Sequence, residues 1–266
     1  MSPTCLVRAL SAACLTATCV IAGNLPPANA AGVQKQTHRI DTGSDRIEVD
    51  FYYVPGSVPK PVAVVSHGFL GNRHRMAAWG RRLAADGFLV AVPTNPAIVS
   101  IDRNVSSLRF LLTRGSQSRR PIPVVSNGQT VLIGFSKGGL ETLLVAASHA
   151  VHLQAWVGLD PVDRDQRGSV AARQVQVPGL AILAAPSPMN AYGNARAMLA
   201  CYAGPLQIKR VPGARHVEAE SPDWPADPNT FQRFASEVSR FLKTTLNAPT
   251  ASPLPNALKI GDFPQP

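Results

Sequence analysis

The sequence predicts one α/β domain, with a mainly parallel central sheet covered by helices on both faces, and three observations predict it. Short apolar, β-branched runs alternate with helix-period segments from about residue 46 to residue 246, the order that a wound sheet requires. Within them, residues 130–139 read Thr-Val-Leu-Ile-Gly-Phe-Ser-Lys-Gly-Gly, an apolar strand running through a glycine-flanked serine into a helix-like stretch. Finally, 266 residues that are 45% hydrophobic and 16% charged can bury one substantial core without a second domain.

The segments follow in order. Residues 1–30 read as a secretory leader: Arg8 is the basic start, residues 9–23 are apolar and small, and Ala28-Asn29-Ala30 is a cleavage signal with the cut expected after Ala30. This predicts a secreted or periplasmic protein. The leader's apolar stretch falls short of the roughly 20 residues a spanning helix needs, and no later segment reaches that length, so no transmembrane segment is expected. Cys5, Cys14 and Cys19 leave with the leader. Cys201 remains as a lone thiol without an internal disulfide partner, expected to be a small buried hydrophobe.

Residues 46–54 read as an edge strand, 62–66 as a buried strand, 75–86 as a helix, 88–92 as a strand and 105–114 as a helix. The strand and helix around Ser136 come next. Strands at 154–159 and 179–185, a helix at 195–202, a strand at 206–211 and a closing helix at 229–246 complete the domain, bounded as residues 31–247. Residues 248–266 carry Pro249, Pro253, Pro255, Pro264 and Pro266 and read as an extended tail.

Gly134-x-Ser136-x-Gly138 between strand and helix has the layout of a nucleophile elbow, a turn that lifts a serine hydroxyl above a sheet and tolerates only small neighbours. In such a site the acid and then the histidine follow the serine along the chain. His216, in the loop Pro212-Gly213-Ala214-Arg215-His216 after the last strand, is the expected general base. The acid is less constrained. The loop after residue 185 reads Pro186-Ser187-Pro188-Met189-Asn190 and lacks a carboxylate, whereas the preceding strand ends at Asp160-Pro161-Val162-Asp163. Asp160, placed at the strand end, is the first choice, Asp163 the alternative and Asp165 behind it. For the oxyanion, the backbone N–H of Lys137 and that of Phe69, in the run Ser66-His67-Gly68-Phe69, are the expected donors. His67 is expected to shape that loop, and Phe69 and Leu70 to line the substrate cleft.

The set His67-Gly68-Phe69, Gly134-Phe135-Ser136-Lys137-Gly138-Gly139, Gly158-Leu159-Asp160-Pro161-Val162 and the late His216 resembles the α/β-hydrolase superfamily. Within it the chain resembles the chlorophyllase-like, dienelactone-hydrolase-related branch, with polyester-hydrolase and platelet-activating-factor acetylhydrolase relatives, over about residues 38 to 246. The Gly-Leu-Asp-Pro-Val run is similar to the chlorophyllase segment whose aspartate serves the triad, which implies Asp160. Phe135 stands where histidine is common, and an export leader departs from a plant chlorophyllase.

The formal charge is +10, and +9 once residues 1–30, with one basic and no acidic residue, are removed. Such a surface favours anionic surroundings. The charges are scattered without a nucleic-acid-binding motif, so no nucleic-acid partner is expected. No phosphate loop, dinucleotide fingerprint or metal-ligand spacing is present, and the expected chemistry needs neither cofactor nor metal. Only residues 160–177 separate two consecutive strands, too few for a large cap, which predicts an open cleft and a bulky or surface-bound ester as substrate. The leading expectation is a monomeric, secreted serine hydrolase of carboxylic esters acting through an acyl-enzyme. An acyltransferase on the same scaffold and a non-catalytic binding protein are the alternatives.

Overall fold

The strands run Gln34–Asp41 (β1), Arg46–Tyr53 (β2), Lys60–Ser66 (β3), Leu89–Pro93 (β4), Ser126–Phe135 (β5), Leu153–Leu159 (β6), Gly179–Leu183 (β7) and Leu206–Arg210 (β8). They form one sheet in the order β1-β2-β4-β3-β5-β6-β7-β8 in a computed structural model, with β1–β2 and β2–β4 antiparallel and every other pairing parallel. The structure describes residues 32–56, 58, 60–115, 126–148, 153–223 and 225–247. The leader at 1–30, the tail at 248–266, and His149 and His152, expected to close the helix after Ser136, lie outside the described residues.

Alternation along the strands divides the core in two. Val62, Val64 and Leu132 face the layer of Ile101–Gly115 (α2), Lys137–Ala147 (α3), Arg167–Ala172 (α4) and Ala195–Ala200 (α5). Ala63, Val65, Val131 and Ile133 face Ala77–Ala85 (α1) and Pro228–Asn247 (α6), where Trp79 meets Phe231 at a ring-centroid distance of 5.0 Å. Strands buried on both faces read as continuous apolar runs, which is why β3 to β7 are visible in the sequence.

The structure departs from these expectations at β1 and β2, at α4 and at Cys201. The strand at 46–54 was expected at the edge, yet β2 is flanked on both sides, because β1 pairs with it throughout. Gln-Lys-Gln-Thr-His-Arg-Ile-Asp is polar and half exposed, so it carries little of the hydrophobic signal that marks a strand. A turn closed by Thr42 N–H to the Asp45 carbonyl (2.8 Å) with left-handed Gly43 joins the two. The six-residue α4 is too short to show a helical period. Cys201 is half buried, not enclosed as expected, since it caps the end of α5.

Candidate active site

Sharp geometry begins where β5 hands over to α3. Ser136 has φ 54° and ψ −123°, a conformation that L-residues rarely hold and one that persists only when its surroundings over-determine it. They do: Ser136 N–H donates to Leu159 O (3.0 Å), while Ser136 O accepts from Gly139 N–H (2.9 Å) and Val162 N–H (3.0 Å). The flanking glycines are required by space. A Cβ on Gly134 would sit 2.1 Å from the Gly138 carbonyl oxygen, and one on Gly138 would sit 2.4 Å from that of His67.

Parallel strands that end together bring distant residues to one rim. Ser136 leaves β5, Asp160 leaves β6, and His216 opens the short 3-10 turn His216–Ala219 after β8. Ser136 Oγ lies 2.9 Å from His216 Nε2, and His216 Nδ1 lies 2.6 Å from Asp160 Oδ2; all three residues are buried. With Nδ1–H donating to the carboxylate, Nε2 is left as an acceptor for the serine hydroxyl. Asp160 also accepts the Ala184 N–H on Oδ1 (3.0 Å) and Asn190 Nδ2–H on Oδ2 (2.9 Å). Asp163 is engaged elsewhere: its Oδ1 accepts the Gly168 N–H (2.8 Å) at the start of α4, and its backbone pairs with Asn194. Asp165 is exposed beside Arg164.

The histidine turn is pinned from several sides. Trp79 Nε1–H donates to Ala219 O (3.0 Å), Arg215 and Glu218 bridge the turn, and Arg75 grips the buried Glu220 at 2.7 Å. Phe135, 4% exposed, packs its ring against the imidazole at 4.6 Å. Sequence reading left Phe135, Asn190 and Glu220 without roles. Each looks like an ordinary loop or core residue until the fold brings it to the rim, and only the apolar Phe135 inside the elbow pentapeptide was a visible signal.

On the opposite side of the serine, the loop after β3 lies against the elbow: a Cβ on Gly68 would be 3.0 Å from Ser136 Cβ. His67 holds this loop as a neutral ring, with Nδ1–H donating to Gly68 O (2.8 Å) and Nε2 accepting the Asn95 N–H (3.0 Å). Burial pushes its pKa down to about 4. Behind it runs a buried polar network. Glu141 accepts from Asn95 Nδ2 (2.9 Å) and Asn104 Nδ2 (2.7 Å) and pairs with Lys137 Nζ (3.0 Å), which also donates to Ile98 O (2.6 Å). Burial raises the Glu141 carboxyl, opposed by Lys137 and Asn104. The Lys137 side chain therefore points away into this network while its N–H occupies the first turn of α3, where backbone donors have no intrahelical acceptor.

A cleft of about 370 Å³ opens over Ser136 and His216, walled by Phe69, Leu70, Met189 and Val217 with the Arg75–Glu220 pair at its side. Among the described residues no group of three or more His, Cys, Asp or Glu is arranged to hold a metal ion.

A model of the PET hydrolase-like family matches residues 34–198, a span from β1 into α5 that includes Ser136 and Asp160. Among solved structures, a dienelactone hydrolase from Anabaena variabilis superposes with a TM-score of 0.66 at 16% identity, covering 80% of this chain and 99% of that one. Est1E from Butyrivibrio proteoclasticus gives 0.64 at 13% identity, covering 79% and 98%. A dienelactone hydrolase-like promiscuous phosphotriesterase from metagenomic libraries gives 0.62 at 16%, covering 80% and 99%. Together with the strand order these likenesses establish the α/β-hydrolase fold, with no cap domain among the described residues. No curated protein matches the chain.

Proposed function

This chain belongs to the PET hydrolase-like family within the α/β-hydrolase superfamily, and from that premise we propose that it is a serine hydrolase of carboxylic esters with Ser136, His216 and Asp160 as its triad. One observation carries the reading: the unbroken chain of short contacts from Ser136 Oγ through both imidazole nitrogens to Asp160 Oδ2. Ser136 Oγ attacks the ester carbonyl carbon as His216 Nε2 takes its proton. The carbonyl π electrons move onto oxygen, and the N–H groups of Lys137 and Phe69 stabilise that oxyanion. Collapse breaks the C–O bond, the leaving alkoxide takes the proton from His216, and an acyl-serine remains. Water, deprotonated by the same nitrogen, attacks the acyl carbon, and the tetrahedral adduct collapses to release the carboxylic acid and restore Ser136–OH. Asp160 holds the Nδ1–H tautomer and stabilises the imidazolium formed in each half-reaction.

The uncapped cleft with Phe69 54%, Leu70 69% and Met189 64% exposed at its mouth supports an ester carried on a bulky or extended apolar body, because those side chains are already outside the core. Export follows from the leader-like residues 1–30, and the catalytic domain is residues 31–247, acting as a monomer. Among the described residues no helix is long and apolar enough to cross a membrane.

The test is turnover of a short p-nitrophenyl ester together with labelling by a fluorophosphonate probe. Ser136→Ala should abolish both, and His216→Ala should abolish turnover, with unfolding transitions close to wild type. Turnover retained by either variant rejects the triad, and failure of folded wild-type protein to react with the probe rejects the serine mechanism. Added alcohol distinguishes acyl transfer from hydrolysis through the ratio of new ester to free acid.

A further inference from the structure

We propose that Asn190 is a positioning residue for the reaction, fixing the carboxylate of Asp160 beneath His216; this rests on the triad proposed above. Asn190 is 1% exposed in the loop after β7, in the 3-10 turn Pro188–Asn190. Its amide is fully engaged. Oδ1 accepts the N–H groups of Ser187 (2.8 Å) and Gly193 (3.1 Å), and Nδ2 donates to Ala185 O (2.9 Å) and Asp160 Oδ2 (2.9 Å).

Those four contacts fix which end of the amide meets the acid. Turned over, it would set –NH2 against two N–H donors and its oxygen against a carbonyl and a carboxylate, four mismatched contacts in a buried place. The N–H is thus aimed at Oδ2, the same oxygen that receives His216 Nδ1–H at 2.6 Å. Ala184 N–H takes Oδ1, so the carboxylate is held at both oxygens and its rotation about the Cβ–Cγ bond is blocked. The loop after β7 carries no carboxylate of its own; instead it supplies both donors to Asp160, the Ala184 N–H and this amide.

Asn190→Asp separates holding the loop from holding the acid. It retains an oxygen for Ser187 and Gly193, but it replaces the donor facing Asp160 with a second carboxylic group. While the two groups share a proton, a donor to Asp160 persists. Once that proton leaves at alkaline pH, two like charges stand about 3 Å apart and drive Asp160 from its place.

The experiment measures kcat and KM of Asn190→Ala and Asn190→Asp on the short ester from about pH 6 to about pH 9, with thermal melts and with Asp160→Asn as control. Expected are a kcat lower by on the order of tenfold to a hundredfold in Asn190→Ala with KM within about twofold, and an alkaline loss of kcat in Asn190→Asp that wild type lacks. A kcat for folded Asn190→Ala within about twofold of wild type, or an Asn190→Asp to wild-type ratio that stays constant with pH, overturns the proposal; should Asn190→Ala fail to fold, the pH ratio of Asn190→Asp decides alone. An inactive Asp160→Asn beside such a result leaves the triad standing and removes only Asn190, whereas an active Asp160→Asn removes both.

Discussion

Replacing Asp160 by asparagine changes one atom in a filled site, which makes its cost calculable. Oδ1 accepts the Ala184 N–H, so the new amide keeps its oxygen there and turns its –NH2 toward His216 Nδ1 and Asn190 Nδ2, at the position Oδ2 held at 2.6 and 2.9 Å. His216 must then present a bare Nδ1 and carry its proton on Nε2, where it cannot accept from Ser136. A buried charge-assisted hydrogen bond is lost, about 2–3 kcal/mol, and recovering the productive tautomer against a facing donor costs a similar amount. The sum, about 4–6 kcal/mol, corresponds to a kcat lower by roughly a thousandfold to a few ten-thousandfold. Steady-state kinetics on a p-nitrophenyl ester measures it, with circular dichroism to establish that the variant is folded. Asp163→Asn is the control: asparagine still offers an oxygen to Gly168 N–H, so kcat should stay within about twofold. A folded Asp160→Asn that keeps more than about a tenth of wild-type kcat, or a dead Asp163→Asn, refutes the argument.

Two further outcomes follow from the cleft and its supporting loop. Phe69→Ala and Leu70→Ala keep the backbone donor but remove exposed apolar wall, so KM for a bulky ester should rise about fivefold to tenfold while kcat on a short ester changes little; equal effects on both substrates would remove these side chains from the binding surface. His67, lowered from 6.5 to about 4, stays neutral when folded while the unfolded chain protonates. Its stabilising contribution is therefore complete above about pH 6.5 and is lost as pH falls to about 4, roughly 3 kcal/mol in all. Urea melts across that range should show the loss in wild type and a flatter profile in His67→Asn; parallel profiles would assign the acid sensitivity elsewhere.

Much of this architecture is legible along the chain, for identifiable reasons. Strands β3 to β7 are apolar on both faces, and Gly134-x-Ser136-x-Gly138 is a pentapeptide readable on its own; the turn itself forbids a Cβ at Gly134, while at Gly138 the distant Ser66 and His67 backbone does so. The β1 strand was missed because polar Gln34–Asp41 has its partner but little burial. Asp160, Asp163 and Asp165 stand within six residues, and sequence placement could rank them without separating them. Asp163 and Asp165 find local partners, the Gly168 N–H and the neighbouring Arg164, whereas Asp160 meets His216, 56 positions away, a contact that only the fold creates.

By itself the sequence determined the periods, the breaks and the glycine-flanked serine, because each is written in residues a few positions apart. Only the tertiary structure decided which carboxylate meets the imidazole, which ring packs on it and which amide holds the acid. Ser136 and His216 are 80 positions apart, and Asp160 and Asn190 are 30 apart. Contacts across such separations exist only after parallel strands have aligned their carboxyl ends, and no local preference of the chain encodes the pairing.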